Sequence, residues 1–165
     1  MEQQARNPDI ARLPAVEPAT VLAILRVTLG AMFVWVFFEN LGKGLYTPAG
    51  YAGLIQYYID SGRAPALWKS VMAVTASHAS VAAPIQGATE LTFGICLLLG
   101  IFTRPVALGA FAFLTSLWVS EFGTAWIWEL LVPMVVALCL ALGAAGRRLA
   151  VDTVLAARFP KVPIW

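Results

Sequence analysis

Charge is what this sequence has least of. Of its 165 residues only 12% are Asp, Glu, Lys or Arg, where roughly 25% is usual for a soluble domain. Hydrophobic residues make up 60%, and the mean hydropathy is +0.79. That balance excludes an ordinary soluble domain. With 11 basic and 9 acidic residues the net charge is +2, and no basic patch stands out, so no nucleic acid partner is expected. Histidine occurs once, as His78, which excludes an internal bis-histidine haem. Cys96 and Cys139 lack a CxxC or Cys/His neighbour, so no metal site is expected and both read as small packing residues. No flavin or dinucleotide fingerprint, internal repeat or low-complexity tract is present. No segment alternates like a barrel strand, and hydrocarbon tolerates only helices or closed barrels.

Long apolar runs dominate what is left. A membrane span needs about 20 apolar residues, and four windows qualify, at 20–38, 80–102, 105–120 and 124–145, the third being short. The expected fold class is an all-α membrane protein, a four-transmembrane-helix bundle covering 20–145. Residues 1–19 mix acids, arginines and prolines without a secretory cleavage pattern, and are expected to be a retained polar tail. Residues 146–165 form a C-terminal segment. Lys and Arg counts set the orientation. Arg6, Arg12, Arg104, Arg147, Arg148, Arg158 and Lys161 would share one side, against Lys43, Arg63 and Lys69 in the first loop. Both termini are therefore expected in the cytoplasm and the protein in the inner membrane.

The loop at 39–79 is too structured to be a plain link. Gly42, Gly44, Pro48 and Gly50 end the first helix, and Tyr51, Leu54, Ile55 and Tyr58 then recur at helical spacing. That stripe predicts an amphipathic helix at the outer membrane interface. A second short helix, 64–76, follows Ser61-Gly62 and leads to His78. Pro105 opens the third span at a position that suits proline, and Pro133 should kink the fourth.

Ionisable groups inside spans are costly and mark partners or function. Glu90 lies on the second span in a stripe with Ala83, Gly87 and Gly94, where small residues signal close helix packing. Arg26 lies on the first, with Gly30, Phe33 and Phe37. Antiparallel spans put Arg26 within reach of Glu90, so a structural ion pair is expected; a proton or quinone role for Glu90 is the other reading. A second group gathers at the outer end: Glu39 and Lys43 at i, i+4, Glu121 in a turn, Glu129 inside the fourth span, and Trp126 and Trp128 among other aromatics. These suit a quinone headgroup. Glu129 and Glu90 are the candidate catalytic carboxylates; Glu39, Lys43, Trp126, Trp128 and His78 are the candidate quinone-binding residues.

Several ordered motifs sit on this frame: Arg26-x-x-x-Gly30-x-x-Phe33, Gly87-x-x-Glu90-x-x-x-Gly94, Leu99-Gly100-x-x-Thr103-Arg104, Glu129-Leu130, and a closing Gly143, Gly146, Arg147 and Asp152. Together they resemble the DoxX/DoxD family of small four-helix membrane proteins, with FENLGKGLY closer to the DoxD branch. In place of the family's usual Gly-x-x-Lys after the Phe stand Phe37 and Asn40, with Gly42-Lys43 further on. The resemblance implies membrane redox chemistry, DoxD being a subunit of thiosulfate:quinone oxidoreductase. It implies a quinone-linked oxidoreductase subunit with a quinone or proton site or a membrane dock, and partner subunits or a homo-oligomer beside the lipid bilayer. A non-catalytic accessory subunit is the second reading. A small transporter is the third.

Overall fold

Proline at a helix start, glycine at its end and apolar residues between them account for the long elements. The computed structural model describes residues 16–143 and 145–161, so most of the expected polar tail and the last residues of the C-terminal segment lie outside the described residues. Seven α-helices and one 3-10 turn, Ala145–Arg147, occur among the described residues. Helix α1 (Pro18–Gly42) begins on Pro18, whose missing N–H would have had no helical partner. α2 (Pro48–Ser61) begins the same way, with Thr47 Oγ1 accepting from Gly50 N at 3.1 Å. α3 (Ala66–Ser77), α4 (Ala79–Leu99), α5 (Thr103–Ser120), α6 (Trp128–Leu142) and α7 (Val151–Arg158) follow.

Four helices close a ring: α1 packs on α4 and α6, and α5 packs on α6 and α4. Their shared core holds Leu29, Phe33, Leu97, Leu114 and Leu140, with Phe33, Phe93 and Phe113 meeting edge-on or tilted at its centre. Close approach of α1 and α4 depends on glycine. A Cβ on Gly30 would stand 2.8 Å from Leu98 N, and one on Gly94 would stand 2.7 Å from Val34 Cγ2, contacts that only a bare backbone admits. The second core, Tyr51, Ile55, Met72, Ala79 and Ala83, lies beneath α2 and α3, which lean on α4 and α5 as a cap.

α1 and α4 are long and apolar enough to cross a membrane, and α6 is a shorter apolar helix. The fourth window is shorter than expected. Residues 124–127 form a turn with a Phe122–Ala125 bridge, and α6 starts only at Trp128. The α4–α5 connection is tight, with Gly100 and Phe102 both left-handed at φ 67° and 49°.

The C-terminal segment folds back on that connection. Asp152, 1% exposed, accepts from Phe102 N at 2.8 Å and Thr103 N at 2.7 Å, and its own N–H donates to Gly100 O at 2.9 Å. A buried carboxylate thus occupies the positive start of α5. Arg104 Nε donates to Ala141 O at 3.1 Å, serving a terminal carbonyl of α6. Thr103, Arg104 and Asp152 therefore tie the helix ends together; Arg147 is exposed and Gly146 lies against Asp152.

Candidate functional site

Beneath the cap, the ends of α1, α4, α5 and α6 nearest to it line a cavity of about 810 Å³. The stripe Tyr51, Leu54, Ile55 and Tyr58, expected to rest on the membrane interface, faces this space instead. An apolar stripe suits either environment, and here the cap turns it inward. α3 adds Trp68, Val71 and Met72 to the roof, while Phe33, Phe113 and Leu114 lie among the bundle residues below. Four acids, Glu39, Glu90, Glu121 and Glu129, line the cavity, with Lys43, Asn40, Gln86 and the hydroxyls of Thr75, Ser116 and Ser120.

Glu90 is 2% exposed and held by neutral donors. Tyr46 OH and Asn40 Nδ2, the latter at 3.3 Å, donate to Oε2, and Gln86 Nε2 donates to Oε1 at 3.0 Å. Tyr46 stacks on Phe37 with centroids 5.3 Å apart, and its ring lies where a Cβ on Gly87 would be 3.0 Å away. Gly87 thus makes room for the tyrosine that reaches Glu90.

The expected Arg26–Glu90 pair does not form. Arg26 Nη2 donates to Leu149 O at 2.5 Å, and its opposite charge is Asp152. Register is the reason. With Gly30 against Gly94 and Leu98, Arg26 falls level with Gly100 in the α4–α5 turn, roughly 15 Å from Glu90 at ~1.5 Å rise per residue. The arginine belongs to the Asp152 stitch and the glutamate to the capped cavity, at opposite ends of the bundle.

The outer carboxylates also sort differently. Glu129 occupies the first turn of α6 and is exposed at the cavity edge. Glu121, expected in a solvated turn, is half-buried and accepts from Tyr58 OH at 3.0 Å. Burial pushes its carboxyl above the ordinary 4.5; the Tyr58 bond pulls it back and the Glu129 charge adds to the rise. Burial, then Glu121, pushes the Tyr58 hydroxyl up as well, so it remains a donor. Glu39 and Lys43 form an ion pair at 2.6 Å with both side chains about half exposed.

Trp126 and Trp128 are 72% and 52% exposed and do not line the main cavity. Trp126 precedes α6 and lines the smaller neighbouring pocket, and Trp128 is the first residue of α6. His78 is exposed at the α3–α4 junction, its Nδ1 2.9 Å from Val74 O and 3.0 Å from Ser77 Oγ, and is not at the cavity either. Tyr46, Tyr58, Asn40 and Gln86 were not anticipated. Only Gln86 carried a local signal, one helical turn before Glu90; the Tyr58–Glu121 contact spans 63 positions. A smaller pocket of about 210 Å³ lies beside the cavity, among Arg63, Trp118, Phe122 and Trp126, and shares Glu121 and Leu130 with it. No group of metal-ligating side chains occurs among the described residues.

A family model described as DoxX matches residues 21–123. No curated protein and no solved structure matches the chain.

Proposed function

Because the chain belongs to the DoxX family, membrane proteins linked to oxidoreductase functions, we propose that it is a multi-pass inner-membrane subunit of a quinone-linked oxidoreductase. In this reading α1, α4, α5 and α6 all cross the bilayer, and the capped cavity takes the quinone headgroup. The observation that carries the reading is the half-buried Glu121–Tyr58 pair at the wall of an apolar, aromatic-lined cavity of about 810 Å³. Such a space, with aromatic side chains and a carboxylate at its wall, suits the ring and oxygens of a quinone headgroup.

Reduction of a quinone to its quinol takes two electrons, assigned here to a separate redox partner protein, and two protons. The chain's part is the protons and the orientation. Glu121, with its raised affinity for a proton, delivers one to a ring oxygen, is reprotonated from the smaller pocket, and then supplies the second proton to the quinol. Tyr58 holds the Glu121 carboxyl in place. Glu90, saturated by three donors, fixes the floor through Tyr46. Glu39 and Lys43 mark the rim. In the narrower, DoxD-like form of this proposal that partner protein takes the two electrons from two thiosulfate ions, which are joined through a new S–S bond.

The test uses the complex purified from native membranes, with quinone binding and quinone-linked turnover measured separately. Glu121→Gln keeps the shape and removes the exchangeable proton. It should lower turnover at least tenfold, about 1.4 kcal/mol in the barrier, with binding within a factor of about three. Asp60→Asn, on the exposed face of α2, is the control. Full turnover in Glu121→Gln would leave the chain as a non-catalytic accessory subunit.

A further inference from the structure

The C-terminal segment combines two features that the cavity does not use. Leu149, Val151, Val154 and Phe159 are 76%, 40%, 67% and 48% exposed. Around them stand Arg147, Arg148, Arg158 and Lys161, all exposed. Arg148 is paired with Glu17, but Arg147, Arg158 and Lys161 make no ion pair among the described residues. The one acid of this stretch, Asp152, is buried in the α5 cap. Helical spacing sorts α7 accordingly: Asp152 turns toward the bundle, and Val151, Val154, Leu155 and Arg158 share another face at i, i+3, i+4 and i+7.

We propose that residues 145–161 form a binding surface for anionic phospholipid. The apolar side chains enter the boundary between headgroups and acyl chains, and the three cations face lipid phosphates. Charge complementarity selects this occupant. A zwitterionic surface would leave three cations uncompensated, whereas an anionic leaflet attracts each of them. The segment is also fastened to the bundle. Asp152 caps α5, and Leu149 O, in a left-handed residue at φ 50°, receives Arg26. Lipid held here therefore bears on the α4–α5 connection and on the buried arginine. Anionic lipid should stabilise the whole bundle, not the segment alone.

The experiment uses the full chain in a neutral detergent, titrated with dioleoylphosphatidylglycerol or dioleoylphosphatidylcholine while thermal unfolding is followed. Wild type should respond to the anionic lipid at a concentration at least about tenfold lower. The preference should shrink in high salt. The triple variant Arg147→Gln, Arg158→Gln, Lys161→Gln should lose it. A spin label at position 154, with Cys96 and Cys139 replaced by alanine, supplies a reading that does not depend on stability. In anionic bilayers it should be more accessible to oxygen than to a water-soluble nickel complex. Equal responses to the two lipids, an unchanged preference in the triple variant, or a water-exposed label would each overturn the proposal.

Discussion

Glu121 and Glu129 show how far a few ångströms of placement outweigh residue type. Both are carboxylates at the outer end of the bundle, yet only Glu121 is half-buried with a tyrosine donor. Because burial raises its pKa above the ordinary 4.5, the folded state binds this proton more tightly than the unfolded chain does. The stabilisation is complete below the ordinary value and is lost as pH rises through the raised one. Melting temperature in neutral detergent should therefore fall as pH climbs through that window. Glu121→Gln should flatten the fall, and Glu129→Gln should move it to lower pH by removing a like charge. Superimposable profiles for wild type and Glu121→Gln would contradict the assignment. The same scale explains what the sequence hid. That Arg26 and Glu90 were buried and purposeful was legible from their cost in an apolar run; that they serve opposite ends was not, because register depends on which glycines meet.

At the scale of elements, the cap is held by backbone and side-chain hydrogen bonds. Trp68 Nε1 donates to Ser120 Oγ at 2.9 Å, Arg63 N donates to Phe122 O at 2.6 Å, and Lys69 Nζ donates to the terminal carbonyls Ile59 O and Gly62 O of the α2–α3 turn. Trp68→Phe keeps the ring and removes one fastening, a loss of about 1 kcal/mol. Amide exchange across α3 should then quicken roughly fivefold, measured by mass spectrometry, while α1 and α4 stay unchanged. Unaltered exchange in α3 would mean that apolar packing alone seats the cap. The helices themselves were readable from long apolar runs and from Pro and Gly punctuation. The start of α6 was not, because Trp126 and Ile127 continue an apolar run through what is a turn. Nor could the inward face of α2 be read, since lipid and cavity ask for the same residues.

For the whole molecule, the proposed topology puts the cap and cavity outside and the Asp152 stitch inside. Gly53 is exposed on α2, and a side chain there meets nothing within 4 Å. In a background without Cys96 and Cys139, Gly53→Cys should react with an impermeant maleimide in intact cells. Ala157→Cys should react only after lysis. The reverse pattern would invert the molecule in its membrane. Glu121 and Leu130 line both the capped cavity and the smaller pocket, so one carboxylate lies at the edge of both volumes. In the proposed proton transfer that carboxylate is a relay shared by two rooms, taking a proton from one and handing it to the other.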